Sequence, residues 1–359
     1  MAGPGELARA LSRPTVFDPT PLRRGRMLGV TDDILGDGFL ARAIPLGGGA
    51  RATLVHRPSR GATRGAILYV HGFSDYFFQR HVAEHFAERG FAFYAVDLRG
   101  YGRSLRDGEL PNFVTDLAIH FEELDAAIDV VRGEDGHPRV VMLGHSTGGL
   151  IASLWAHHRR ADDGIDALVL NSPWLELAEP WPLRTVGTSV IRGLGRIAPT
   201  FVVRAGLGPV YGHSIHAEHH GEWDFNLAWK PLNGFPVRAG WLRAIRHGHA
   251  RLHRGLDVRV PVLVLRSTRS LLHGAQWSPR AMTADTVLDV RDMARYAPKI
   301  GSRVTVSVVD NGLHDLFLSA PTVRAEALSI VDKWLGELDS ASDQDGGPRD
   351  HAEPTGRDH

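Results

Sequence analysis

The chain has 359 residues, 43% of them hydrophobic, which is enough for two ordinary domains or for one large core carrying an insertion. Lys plus Arg and Asp plus Glu both total 41, so the formal charge is zero, and no cationic excess points to a nucleic acid partner. Cysteine is absent, which removes disulfides, thiolate metal sites and cysteine nucleophiles in one step.

Met1 to Leu11 lacks the basic and apolar regions of a secretory leader. The longest stretch free of Asp, Glu, Lys and Arg, Val140 to His158, is broken by Gly144, Gly148 and Gly149, so no membrane span is expected. A cytoplasmic location is the expectation. Residues 1–26, rich in proline and arginine and without periodicity, read as an N-terminal arm. Phe39 to Leu46 and Arg51 to His56, separated by Gly47, Gly48 and Gly49, read as a hairpin.

Short continuous apolar runs follow: Ala66 to Val70, Phe91 to Val96, Val140 to Leu143, Ala167 to Leu170, Val260 to Leu265 and Val304 to Val309. Continuous rather than alternating apolarity predicts strands covered on both faces. Phe113, Leu117, Phe121, Leu124 and Ile128 have helical spacing, as do Leu328, Val331 and Leu335. Strand and helix in alternation predict an α/β fold with a mostly parallel, doubly wound sheet, led in by the antiparallel hairpin.

That core is expected over residues 27–173 and 258–338. Between its halves the alternation stops. Residues 174–257 hold five of the eight tryptophans and are too long for an ordinary connection, so they predict an inserted helical lid over the ligand-binding edge of the sheet. Within it, Val186, Val190, Ile191, Leu194 and Ile197 form the apolar side of a helix whose other side carries Arg184, Arg192 and Arg196. Packing on the core or transient contact with a membrane surface would both use that side. Trp223, Trp229 and Trp241 are expected to form a small core of the lid's own. Residues 339–359, acidic and without large apolar side chains, predict a disordered tail.

Chemistry concentrates at Gly144-His145-Ser146-Thr147-Gly148, after one predicted strand and before a helical pattern. In a strand-to-helix turn of this kind the flanking glycines allow close packing, and the strained serine projects its hydroxyl at the start of a helix. Ser146 is therefore the candidate nucleophile. A serine needs a base, and the base an orienting acid, in the chain order Ser, acid, His. His314, in the loop after Val304 to Val309, fits the base. No carboxylate stands in Arg266 to Ser270, so the acid is sought further on, where Asp285 is preferred and Asp289 is the alternative, with a helix N-cap as its other role. The amides of Thr147, after the nucleophile, and Phe73, in the loop His71-Gly72-Phe73, are the candidate oxyanion hole.

These motifs, together with Asp97-Leu98-Arg99-Gly100-Tyr101-Gly102-Arg103-Ser104 and Gly312-Leu313-His314-Asp315, resemble the α/β-hydrolase superfamily over about residues 39 to 338. The branch is similar to monoacylglycerol lipases, lysophospholipases and serine aminopeptidase-like hydrolases. The resemblance implies a structural role for Asp97 and Arg99, and a serine hydrolase of carboxylic esters of lipid or other acyl substrates, working through an acyl enzyme. An acyltransferase or an aminopeptidase on the same residues is the alternative, as is a noncatalytic ligand-binding protein. An aminopeptidase needs a lid carboxylate for the substrate amine, with Glu176, Glu179, Glu218, Glu222 and Asp224 as candidates. No cofactor is expected, and no metal: His213, His216, His219 and His220 lack the spacing of a zinc ligand set, and the mechanism needs none.

Overall fold

The apolar runs assemble as the middle of one 9-stranded sheet in a computed structural model that describes residues 29–345 apart from 163, 179–190, 192, 273 and 275. Its strands begin with β1 (Val30–Asp32), β2 (Leu40–Pro45), β3 (Arg51–Arg57), β4 (Gly65–Val70), β5 (Phe91–Asp97), β6 (Val140–His145) and β7 (Ala167–Asn171). A separate ribbon of β8 (Val202–Arg204) and β9 (Val237–Arg238) lies in the insert, and β10 (Val262–Ser267) and β11 (Val304–Val309) complete the sheet. The order is β1-β2-β3-β5-β4-β6-β7-β10-β11, antiparallel from β1 as far as the β3/β5 pair and parallel beyond it. The expected hairpin is the β2/β3 pair, and the long parallel half follows from the helical crossovers between its strands.

Every residue of β4, β5, β6 and β7 is buried. Successive side chains point to opposite faces, so Leu68, Tyr94 and Met142 enter one apolar cluster while Ile67, Tyr69, Phe93 and Val141 enter another. The first cluster is closed by α2 (Phe121–Ile128) and α3 (Thr147–His158). The second is closed by α1 (Arg80–Glu88) and by Leu328, Val331 and Leu335 of the long final helix. β11 departs from the expectation of strands covered twice: it is the edge strand, with Val306 38% and Val308 40% exposed.

The insert is less separate than its composition suggests. Its described residues include the helices Pro209–Ile215 (α4) and Ala239–His253 (α5). Trp241, Ile245 and Leu252 of α5 join the main cluster beside α3. Gly248 faces that contact, where a Cβ would stand 3.1 Å from Leu154 Cδ1 of α3 and 2.9 Å from Leu117 Cδ1. Trp223 and Trp229 pack against a cluster that includes Tyr76, Phe78 and Leu318, and Trp223 Nε1 donates to Leu318 O at 2.8 Å. The tryptophans therefore bind the insert to the rest of the fold rather than closing a core of its own.

Residues 193–197 are helical, but Ile197 is 87% exposed and does not continue a buried apolar face; Arg184, Val186, Val190 and Arg192 lie outside the described residues. After α6 (Val290–Tyr296) and β11 the described residues end in α7 (Pro321–Asp345), which enters the segment expected as a disordered tail. Asp339 of that helix pairs with Arg64 at 2.5 Å and with Arg139. The expected N-terminal arm and the remainder of the tail lie outside the described residues. Among those described, no helix is long and apolar enough to cross a membrane.

Candidate active site

The turn from β6 into α3 puts Ser146 at φ 52° and ψ −117°, in left-handed backbone territory that a residue with a side chain rarely occupies. The turn is closely packed. A Cβ on Gly148 would stand 2.3 Å from both Val70 O and His71 O, so only glycine lets α3 start this close to the end of β4. The Ser146 N–H donates to Asn171 O at 3.1 Å, which ties the turn to the end of β7.

His314 brings Nε2 to 2.9 Å from Ser146 Oγ and Nδ1 to 2.9 Å from Asp285 Oδ2. A carboxylate accepts only, so Nδ1 carries the hydrogen and Nε2 presents its lone pair to the serine. Asp285 is fully buried, and its Oδ1 accepts from the Val287 and Leu288 amides, both at 2.8 Å. Although the sequence between β10 and Asp285 is long, the backbone returns: Asp285 N donates to Arg269 O at 3.0 Å and Leu271 N to Asp285 O at 2.8 Å. These two bonds deliver the carboxylate back to the end of β10. Asp289 is elsewhere, capping α6 by accepting from Arg291 N and pairing with its guanidinium.

The loop carrying His314 is held by groups that sequence reading missed. Asp315 accepts from Asn171 Nδ2 at 2.7 Å, Gln79 Nε2 at 3.1 Å and Phe317 N at 3.0 Å, and Asn171 Oδ1 accepts from Leu316 N at 3.2 Å. Asn171 thus meets the Ser146 turn through its backbone and the histidine loop through its side chain. Its one sequence signal is a polar residue closing an otherwise apolar strand. His71 is structural: Nδ1 donates to Gly72 O at 2.8 Å and Nε2 accepts from Leu98 N at 3.1 Å, and burial holds its pKa low. Burial also lowers that of His145. Asp97 and Arg99 match their structural expectation, Asp97 accepting from Phe77 N at 3.0 Å and Arg103 Nη1 at 2.8 Å, Arg99 donating through Nε to Glu123 at 2.7 Å.

Ser146 and His314 open into a cavity of about 440 Å³, which Phe73 and Thr147 also line. The Phe73 ring packs on Trp241 with centroids 4.0 Å apart. Much of the wall is apolar and comes from the insert, with Leu177, Val203, Leu207, Ile215, Trp241 and Leu242. Asp75 is the one carboxylate among the described lining residues, and Lys230 Nζ stands 2.7 Å from its Oδ1. His213 and His219 stack at 4.0 Å and His220 stacks on Trp277 at 3.4 Å, away from this lining.

The family model described as serine aminopeptidase, S33, matches residues 61–320, a stretch that contains this whole arrangement. The chain belongs to that family. It is 30% identical over 139 residues to a monoacylglycerol lipase of Mycolicibacterium smegmatis, covering 38% of this chain and 46% of that protein. It is 34% identical over 122 residues to a (lyso)-N-acylphosphatidylethanolamine lipase of Bos taurus, covering 32% and 34%. The matches thus span less than half the length of these curated relatives. Among solved structures, a soluble variant of monoglyceride lipase from Saccharomyces cerevisiae superposes with TM-score 0.64 at 18% identity, over 82% of this chain and 94% of that one. The monoacylglycerol lipase of Paleococcus ferrophilus gives 0.58 at 20% identity, over 79% and 97%. These likenesses bear on the fold, which is that of the α/β-hydrolases.

Proposed function

We propose that the chain is a serine hydrolase of carboxylic esters, with lipid or other long acyl compounds as its substrate class. The observation that carries this reading is the continuous hydrogen-bonded line from Ser146 through His314 to Asp285, opening into an apolar cavity. In this mechanism Ser146 Oγ attacks the ester carbonyl while His314 Nε2 takes its proton, and Asp285 holds the imidazole and balances the charge it gains. The amides of Phe73 and Thr147 stabilise the oxyanion, and the start of α3 adds its dipole. His314 returns the proton to the leaving alcohol. Water, activated by the same imidazole, then releases the acyl group from Ser146.

The lining favours an ester over a peptide amine. Of the carboxylates considered for an aminopeptidase, Glu176 is engaged by Arg246 and Glu222 by Arg324, and neither lines the cavity, nor do Glu218 and Asp224. Glu179 lies outside the described residues. Contact with a lipid surface is supported by Ile197 at 87% and Phe201 at 55% exposure, beside Val202 and Val203, on one stretch of the insert. A fluorophosphonate probe should label the protein and leave Ser146→Ala unlabelled, and 4-nitrophenyl esters and monoacylglycerols should turn over where peptide anilides do not. Equal labelling of both proteins, or faster anilide cleavage, overturns the proposal.

A further inference from the structure

Lys230 is unusual in its chemistry and in its place. The cationic residues of the chain are arginines except for Lys230, Lys299 and Lys333, and of these three only Lys230 is buried. Its Nζ lies 2.7 Å from Asp75 Oδ1, with the two side chains 8% and 3% exposed. Around the ammonium stand the rings of Phe78 at 5.4 Å, Tyr211 at 5.7 Å and Phe225 at 5.7 Å. A carboxylate surrounded by aromatic rings is how proteins hold an ammonium ligand. Here the ligand is a side chain of the insert, and the carboxylate belongs to the loop that carries Phe73.

Both Lys230 and Asp75 line the cavity that contains Ser146 and His314. We propose that Lys230 is a specificity-determining residue: its ammonium fills the amine-binding position of the cavity, so that the site takes acyl substrates without a cationic group and turns away those that carry one. This rests on the reading of Ser146 as an ester-cleaving nucleophile. A substrate ammonium entering the cavity leaves its hydration behind and finds the lining carboxylate already paired, with Lys230 and Arg204 as like charges. Burial would push the Asp75 carboxyl up, but the Lys230 ammonium beside it outweighs that and holds Asp75 below its ordinary value. The carboxylate is therefore ionised. A compact ammonium fits this cage, whereas the planar fork of arginine would demand a second acceptor.

The test compares 4-nitrophenyl hexanoate with 4-nitrophenyl 6-aminohexanoate. The wild type should prefer the neutral ester in kcat/KM by about tenfold or more, the order expected for bringing an ammonium into a like-charged, desolvated site. Lys230→Met should shrink that preference by about tenfold, because Asp75 becomes available to the substrate amine. Adding Asp75→Asn to Lys230→Met should cancel the gain. Equal wild-type rates for the two esters, or an unchanged ratio in Lys230→Met, overturns the proposal, and the wild-type comparison decides even where the variants fail to fold. Binding is read separately: propylammonium chloride, against sodium chloride at equal ionic strength, should raise the Tm of Lys230→Ala and leave the wild type unmoved. Loss of that shift in a folded Lys230→Ala overturns the ammonium site. Absence of all ester turnover with the shift intact instead overturns the hydrolase reading and leaves the site standing.

Discussion

Asp285 and Asp289 stand close in sequence and meet different partners. Asp285 turns one oxygen to His314 and the other to two backbone amides, while Asp289 caps a helix. Asp285→Asn should therefore lower the esterase kcat by ~10⁴, the size of effect seen when a triad acid becomes an amide and the imidazole takes the wrong tautomer. Asp289→Asn should keep the cap and change the rate little. Parallel esterase rates of the two variants check this, and the larger loss at Asp289 would reverse the assignment. The chain order Ser, acid, His narrowed the acid to Asp285, the preferred candidate, and Asp289, and went no further. Asn171 was not legible, because its value lies in partners contributed by the Ser146 turn after β6 and by the histidine loop, which no local pattern connects.

Among the elements, the strands of the sheet interior were the most legible, since residues buried on both faces must be apolar throughout. β11 misled for the same reason: its valines satisfy strand propensity, yet it lies at the sheet edge. The strand-to-helix turn depends on glycine in a way that is testable at this scale. Gly148→Ala would drive a Cβ to 2.3 Å from two carbonyl oxygens at the end of β4 and force α3 away from the sheet. The expected cost is about 1–3 kcal/mol of stability, with a further loss of activity as Ser146 moves off His314. Chemical denaturation and esterase assay of the same preparation check both parts. An alanine variant with wild-type midpoint and rate would show that the turn does not need the close approach.

For the whole molecule, the deciding feature is how the insert is joined to the sheet domain. Trp241 is 2% exposed and packs on Phe73 at 4.0 Å and on Trp174 at 5.7 Å, linking α5 to the loop beside Ser146. Trp241→Ala should cost about 3–5 kcal/mol, as truncation of a buried aromatic does, and should expose the insert to limited proteolysis before the sheet domain unfolds. Simultaneous cleavage and global unfolding would instead make insert and core one cooperative unit. By itself the sequence determined the α/β-hydrolase fold, the serine at the strand-to-helix turn and the histidine after the last strand, because each depends on short-range patterning that one stretch of chain carries. Only the tertiary structure decided which aspartate meets the histidine, how firmly the insert's tryptophans bind it to the core, and that Lys230 lies against Asp75 inside the cavity. Those are contacts between residues far apart in the chain, and they exist only once the sheet has brought its loops to one edge.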